Sequence, residues 1–147
     1  MAIKVTRRTV AVAVFRGRNL NYAEVRHLSS NKETADASAI AFVNWTLTHF
    51  RIESAAIEDA VGSDEARSAE LVQHLETGLR AAGLSVRRVT KQTLFESFAA
   101  APLTSRKELH GIVRDVWPQL DSRAFHPSVY DAASLGLYMQ VEYLLSK

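Results

Sequence analysis

Two kinds of side chain in this sequence could do chemistry together: acids that close apolar runs, and basic residues that come in groups. Ser54 to Ala60 (SAAIEDA) sets small and apolar residues ahead of Glu58 and Asp59, and the run reads as a buried central strand. Asp131 follows Ser128 by three residues, in the first turn of the last helix expected from the sequence, where the helix dipole already favours an acid. Arg7, Arg8, Arg16 and Arg18 fall early, Arg87, Arg88 and Lys91 fall together, and so do Arg106 and Lys107. Brought onto one face, such groups would make a phosphate-tracking surface; scattered, they are ordinary solvated charge. His126, in the approach Phe125-His126-Pro127, could act as a base or supply a missing ligand.

Other chemistries are excluded by what the sequence lacks. It has no cysteine, so there is no disulfide framework, thiolate metal site or thiol nucleophile. His27, His49, His74, His110 and His126 show no zinc-site spacing. The glycines are too scattered for a phosphate loop or a dinucleotide fingerprint, and no Ser-His-Asp ordering stands out.

The elements that must position these residues follow from pattern. With 147 residues, 47% hydrophobic and 23% charged, the chain suits one globular domain over 1–147. A net charge of +2 permits nucleic-acid binding without demanding it. The start, Met1-Ala2-Ile3-Lys4-Val5-Thr6-Arg7-Arg8, is basic but has no signal-peptide apolar core, and Val10 to Phe15 is too short to span a bilayer. A soluble cytoplasmic protein is the expectation.

Thr9 to Phe15 (TVAVAVF) reads as a strand buried on both faces, Gly17-Arg18-Asn19 as a turn, and Leu20 to Leu28 as the hairpin partner. After a polar stretch, Ser29 to Thr34, that ends in a possible N-cap, Ile40, Val43, Leu47 and Phe50 recur at helical spacing. Ser63-Asp64-Glu65 opens a second helix with Val72, Leu75, Leu79 and Ala82 inward and Gly83 at its C′ position. Leu84 to Val89 is a further strand, and Gln92 to Phe98 a short helix. Ser105-Arg106-Lys107-Glu108 is a capping box before Leu109, Ile112, Val113 and Val116, with Pro118 past the end. Ser128 to Leu145 is the last helix, turning Ala132, Leu135 and Met139 inward, with Tyr138 a further candidate for that face. Trp45 and Trp117 read as core or half-buried packing residues. The order β-β-α-β-α-β-α-α-α predicts an α/β fold, a mixed sheet flanked by helices.

The order and several local strings resemble the RuvC-type Holliday junction resolvases of the ribonuclease H-like superfamily. Ala56-Ile57-Glu58-Asp59 is similar to the family's strand end AIEQ, whose glutamate binds metal, and Thr90-Lys91-Gln92-Thr93 to its VKQT element, whose lysine lies near the scissile phosphate. Ser105 to Val113 resembles the basic helix start that follows, with Arg106 or Lys107 in place of a second lysine. Asp131-Ala132-Ala133-Ser134-Leu135 resembles the DAADAL opening of the last helix, where Asp131 could answer to either aspartate. The resemblance implies a ribonuclease H-like fold, catalytic and metal-binding candidates Glu58 and Asp131, nucleic-acid contacts from Lys91, Arg106 and Lys107, magnesium if the carboxylates are functional, DNA or RNA as partner, and a homodimer; the grouping of basic residues adds Arg87 to the nucleic-acid candidates.

Three departures qualify it. The family's first strand carries a metal-binding aspartate, whereas here Thr9 to Phe15 best matches the second strand and the eight residues before it contain no acid. Ser134 stands where a second aspartate would be, and Ala60-Val61 replaces the aromatic residue that wedges the junction. Two-metal hydrolysis needs several carboxylates around cations about 3.5–4 Å apart, so Glu58 and Asp131 would require a third acid such as Asp59 or Asp64. The preferred expectation is therefore a catalytically degenerate RuvC-like domain that binds nucleic acid. An active magnesium-dependent endonuclease with a rebuilt site and a non-enzymatic assembly module are the alternatives.

Overall fold

The structure is a computed structural model that describes residues 1–60, 66–98, 103–121 and 125–146. The run expected to open the sheet is its second strand, β2 (Thr9–Arg16). Ahead of it Ala2–Val5 forms β1, antiparallel to β2 with Val5 opposite Val10. Between them Thr6 closes a tight turn: its hydroxyl accepts from the backbone N–H of Arg8 at 3.2 Å and of Thr9 at 3.0 Å. Residues that read as a basic start are thus a strand and its turn.

β2 continues through Gly17, at φ 58°, into β3 (Asn19–His27). Then come α1 (Lys32–His49), β4 (Ser54–Glu58), α2 (Ala66–Ala81), β5 (Ser85–Val89), α3 (Lys91–Glu96), α4 (Arg106–Val116), a 3-10 turn (Pro118–Leu120) and α5 (Pro127–Leu145). Asp64 and the rest of the expected start of α2 lie outside the described residues. The sheet runs β3-β2-β1-β4-β5, with β1 central and parallel to β4. No helix among the described residues is long and apolar enough to cross a membrane.

The strand alternation sorts side chains by size. Ile3, Val5, Val10, Val12, Val14, Ala55, Ile57 and Val86 point to one face and pack under α1 and α2. Ala2, Ala11, Ala13 and Ala56 point to the other, under α3, α4 and α5. Alanines on that face let α5 lie close, with Ala132, Ala133 and Leu135 fully buried against it. Lys4 and Glu58 belong by alternation to the same alanine face, so the strands that seat α5 also drive two charges beneath it.

The helix ends follow local chemistry. Asn31, not Thr34, caps α1, accepting from the N–H of Thr34 at 3.0 Å. Its buried face is Ala35, Ala39, Phe42, Val43 and Thr46, while Ile40 of the expected stripe is 37% exposed. Small residues carry that face, and Thr46 enters it by donating its hydroxyl to the Phe42 carbonyl at 3.0 Å. Gly83 ends α2 at φ 88°, and Ser105 caps α4 by accepting from the N–H of Glu108 at 3.3 Å.

Gly136 faces the ring of Phe15, where a Cβ would come within 2.1 Å of ring carbons. Gly136→Ala is expected to lower stability by about 1–3 kcal/mol by overpacking. Phe15→Leu in the same chain should recover part of the loss in urea unfolding. A neutral Gly136→Ala would contradict the close approach of α5.

Candidate functional site: a closed charge cluster at the strand ends

Glu58 ends β4 with 2% of its surface exposed. A carboxylate so buried keeps its charge only with close positive partners. The parallel register sets Ala2 opposite Ala56 and Ile3 opposite Ile57, so the next residue of β1, Lys4, lies beside Glu58 on the same face. Lys4 is 8% exposed, and its ammonium donates to Glu58 Oε2.

The second partner comes from α4. Ser105 caps that helix, and Glu108 reaches back to the N–H of Thr104 at 2.9 Å, which fixes the first turn. Arg106, one residue into the turn, forks onto Glu58 with Nη1 to Oε1 and Nη2 to Oε2 both at 3.1 Å. The same Nη1 donates to Asp131 Oδ1 at 3.1 Å. Asp131, in the first turns of α5, is 5% exposed and also accepts from His110 Nε2 at 2.7 Å. The cluster sets two cations, Lys4 and Arg106, against two carboxylates, Glu58 and Asp131.

Burial pushes the Asp131 carboxyl up. The hydrogen bond from His110 and the charges of Arg106, His110 and Lys4 outweigh it and hold the group below its ordinary value. A depressed native value means stability that is fully present above the unfolded-state carboxylate range, about pH 4, and is lost as pH falls through the native value.

The structure brings Glu58 and Asp131 onto one guanidinium, that of Arg106. Arg106, expected on a phosphate surface, is turned inward onto them. Asp59 does not join as a third acid: it pairs with Arg88 at 3.4 Å, and Arg88 also pairs with Glu76 of α2 at 2.5 Å. His126 stands apart from the cluster and caps α5, its Nδ1 accepting from the N–H of Ser128 at 3.1 Å, with its ring edge-on to His27. Arg87 lies against α5, donating to the Tyr138 hydroxyl at 3.2 Å and pairing with Glu142 at 3.7 Å. Lys91 and Lys107 are exposed, Lys91 with its ammonium 5.2 Å from the Phe95 ring centre. In Thr90-Lys91-Gln92-Thr93 the threonines have a structural task, since Thr90 caps α3 by accepting from the N–H of Thr93 at 3.1 Å.

These residues do not fit a magnesium site. Magnesium needs free carboxylate oxygens in near-octahedral array, but both oxygens of Glu58 accept from cationic side chains and Asp131 Oδ1 accepts from two donors. No group of three His, Cys, Asp or Glu among the described residues could hold a metal ion.

Sequence reasoning missed Lys4 and His110. Lys4 was legible in principle: Ala2-Ile3-Lys4-Val5 and Thr9 to Phe15 flank a three-residue polar turn, and a hairpin read there puts Lys4 on the face of the other alanines. His110 follows Arg106 by four residues, one helical turn on.

Lys4→Met removes a cation from a buried carboxylate and is expected to destabilise the fold by about 3 kcal/mol. Lys4→Met with Glu58→Gln should lose less than the sum of the two single changes in urea unfolding, because each single change already removes the Lys4–Glu58 pair. Additive losses would contradict the pairing.

No family model matches the sequence, and no curated protein matches it. Solved structures do match in three dimensions. RuvC of Thermus thermophilus has a TM-score of 0.81 at 16% identity, covering 99% of this chain and 95% of that one. T. thermophilus RuvC in complex with a Holliday junction substrate gives 0.79 at 18% identity, covering 97% and 93%. The Fowlpox virus resolvase in complex with substrate Holliday junction DNA gives 0.62 at 8% identity, covering 96% and 97%. At these identities it is the architecture that is shared: the chain has the ribonuclease H-like fold of the RuvC-type resolvases.

Proposed function

We propose that this chain, read as one domain, is a RuvC-like nucleic-acid-binding module whose catalytic centre has been exchanged for an internal ion cluster. The observation that carries the reading is Lys4. A cation on the central strand, paired to Glu58, neutralises the carboxylate that the resemblance assigns to metal. Arg106 neutralises it a second time and joins it to Asp131. Two-metal hydrolysis depends on carboxylates that collect cations, and here the chain supplies its own.

On this reading nucleic acid lies at the carboxyl ends of β1, β4 and β5, the edge where open α/β sheets bind their ligands. Arg7 and Arg8 are exposed in the β1–β2 turn at that edge, Lys91 follows β5, and Lys107 stands beside Arg106 at the start of α4. Arg16 and Arg18 go to the opposite end with the β2–β3 turn. Two of the matching solved structures are resolvases bound to Holliday junction DNA, which makes a branched duplex the first ligand to try. The reading includes a homodimer, for which the exposed Tyr143, Leu144 and Leu145 at the end of α5 offer an apolar surface.

Labelled four-way junction, duplex and single-stranded DNA, each with magnesium or manganese, should be bound and left uncut. Binding should weaken with salt, and replacing Arg7, Arg8, Lys91 and Lys107 by serine should flatten the salt dependence by about 0.9 for every phosphate that is no longer neutralised. Metal-dependent cleavage that disappears in Glu58→Gln would overturn the reading, and so would failure to bind any of the three.

A further inference from the structure

The end of the molecule away from the ion cluster carries a second constellation, built from the C-terminal turn of α1, the β2–β3 turn and the start of β4. Trp45 is 40% exposed on α1 and stacks on His49, ring centres 4.1 Å apart and planes 25° apart. Tyr22 of β3 lies 5.7 Å from the Trp45 ring and 5.1 Å from that of Phe50, bracing the indole. His49 Nδ1 is held 2.8 Å from the Trp45 carbonyl. The outer rings are therefore set in place before any ligand arrives.

Beside them opens a cleft of about 730 Å³ whose lining includes Arg16, Asn21, His49, Phe50, Arg51 and Glu53. Arg51 is 93% exposed at its side chain and meets Glu53 only at 4.0 Å. Arg16 is exposed, with no ion pair among the described residues.

We propose that this end binds a short single-stranded nucleic-acid segment, with a base on the Trp45–His49 stack and its phosphates on Arg16 and Arg51. Exposed rings offer a flat apolar face to any base, whereas bases inside a duplex have both faces covered by their neighbours. The guanidiniums suit phosphate oxygens. A protein partner would favour an apolar rim, whereas the polar side chains of this lining, Arg16, Asn21, His49 and Arg51, outnumber its acid, Glu53, and leave it net basic. The site does not rest on the reading of the carboxylate edge, which lies at the other end of the strands.

Tryptophan emission tests it directly. Trp117 is 4% exposed and its indole N–H donates to the Arg18 carbonyl at 3.0 Å, so a ligand-dependent change reports Trp45. Titration of the full chain with an oligothymidylate of about eight nucleotides should quench the emission. Trp45→Ala should weaken binding of the labelled oligonucleotide about tenfold, the loss expected of one stacking side chain. Arg16→Ser with Arg51→Ser, both at exposed positions, should weaken it and reduce its salt dependence while far-ultraviolet circular dichroism stays unchanged. The serine replacements at Arg7, Arg8, Lys91 and Lys107 should leave the quenching intact, which separates this site from the carboxylate edge. No quenching, or affinity unchanged in both the Trp45 and the double arginine variants, would overturn the proposal. Quenching abolished by the edge replacements alone would overturn it too.

Discussion

Glu58 sits at the end of a central strand with 2% of its surface exposed, and a carboxylate in that position has few options. It can take up a proton, collect metal ions, or be matched by cationic side chains. Lys4 and Arg106 are the match, and much of the surrounding structure serves to place them. β1 has to pair with β4 in the register that sets Lys4 beside Glu58. The first turn of α4 has to be pinned by Ser105 and Glu108 for Arg106 to point inward. α5 has to come close over alanines and Gly136 for Asp131 to reach the same guanidinium.

On the proposed reading, this arrangement keeps the architecture while changing what the site can do. Carboxylates that gather metals repel one another until cations arrive, whereas two carboxylates with two internal cations are balanced in the folded chain alone. Arg106 satisfies both acids at once, forking onto Glu58 and donating to Asp131. The position of His110, donating to Asp131, adds a further hydrogen bond without adding a carboxylate.

Much of the architecture was legible in the sequence because it rests on strong periodicities. Thr9 to Phe15 is buried on both faces as its composition predicts, and Ser105 and Gly83 cap where their chemistry says they should. What escaped was short or carried by small residues. Four residues, Ala2–Val5, are too few to show a period, and a lysine among them looks like surface charge until its register is known. In α1 the buried face is built on Ala35, Ala39 and Thr46, which an apolar stripe drawn through Ile40 overlooks. The orientation of Arg106 depends on the partner it finds 48 residues away, and no local pattern encodes that.

Whether internal cations hold the place of metals can be read from the paramagnetic resonance of Mn²⁺ titrated into the unmodified chain and into Glu58→Gln. A site already balanced by Lys4 and Arg106 should give no saturable Mn²⁺ binding that distinguishes the two proteins. A saturable site present in the unmodified chain and lost in Glu58→Gln would show that the ion displaces Lys4 or Arg106, and would contradict the exchange of metals for side chains.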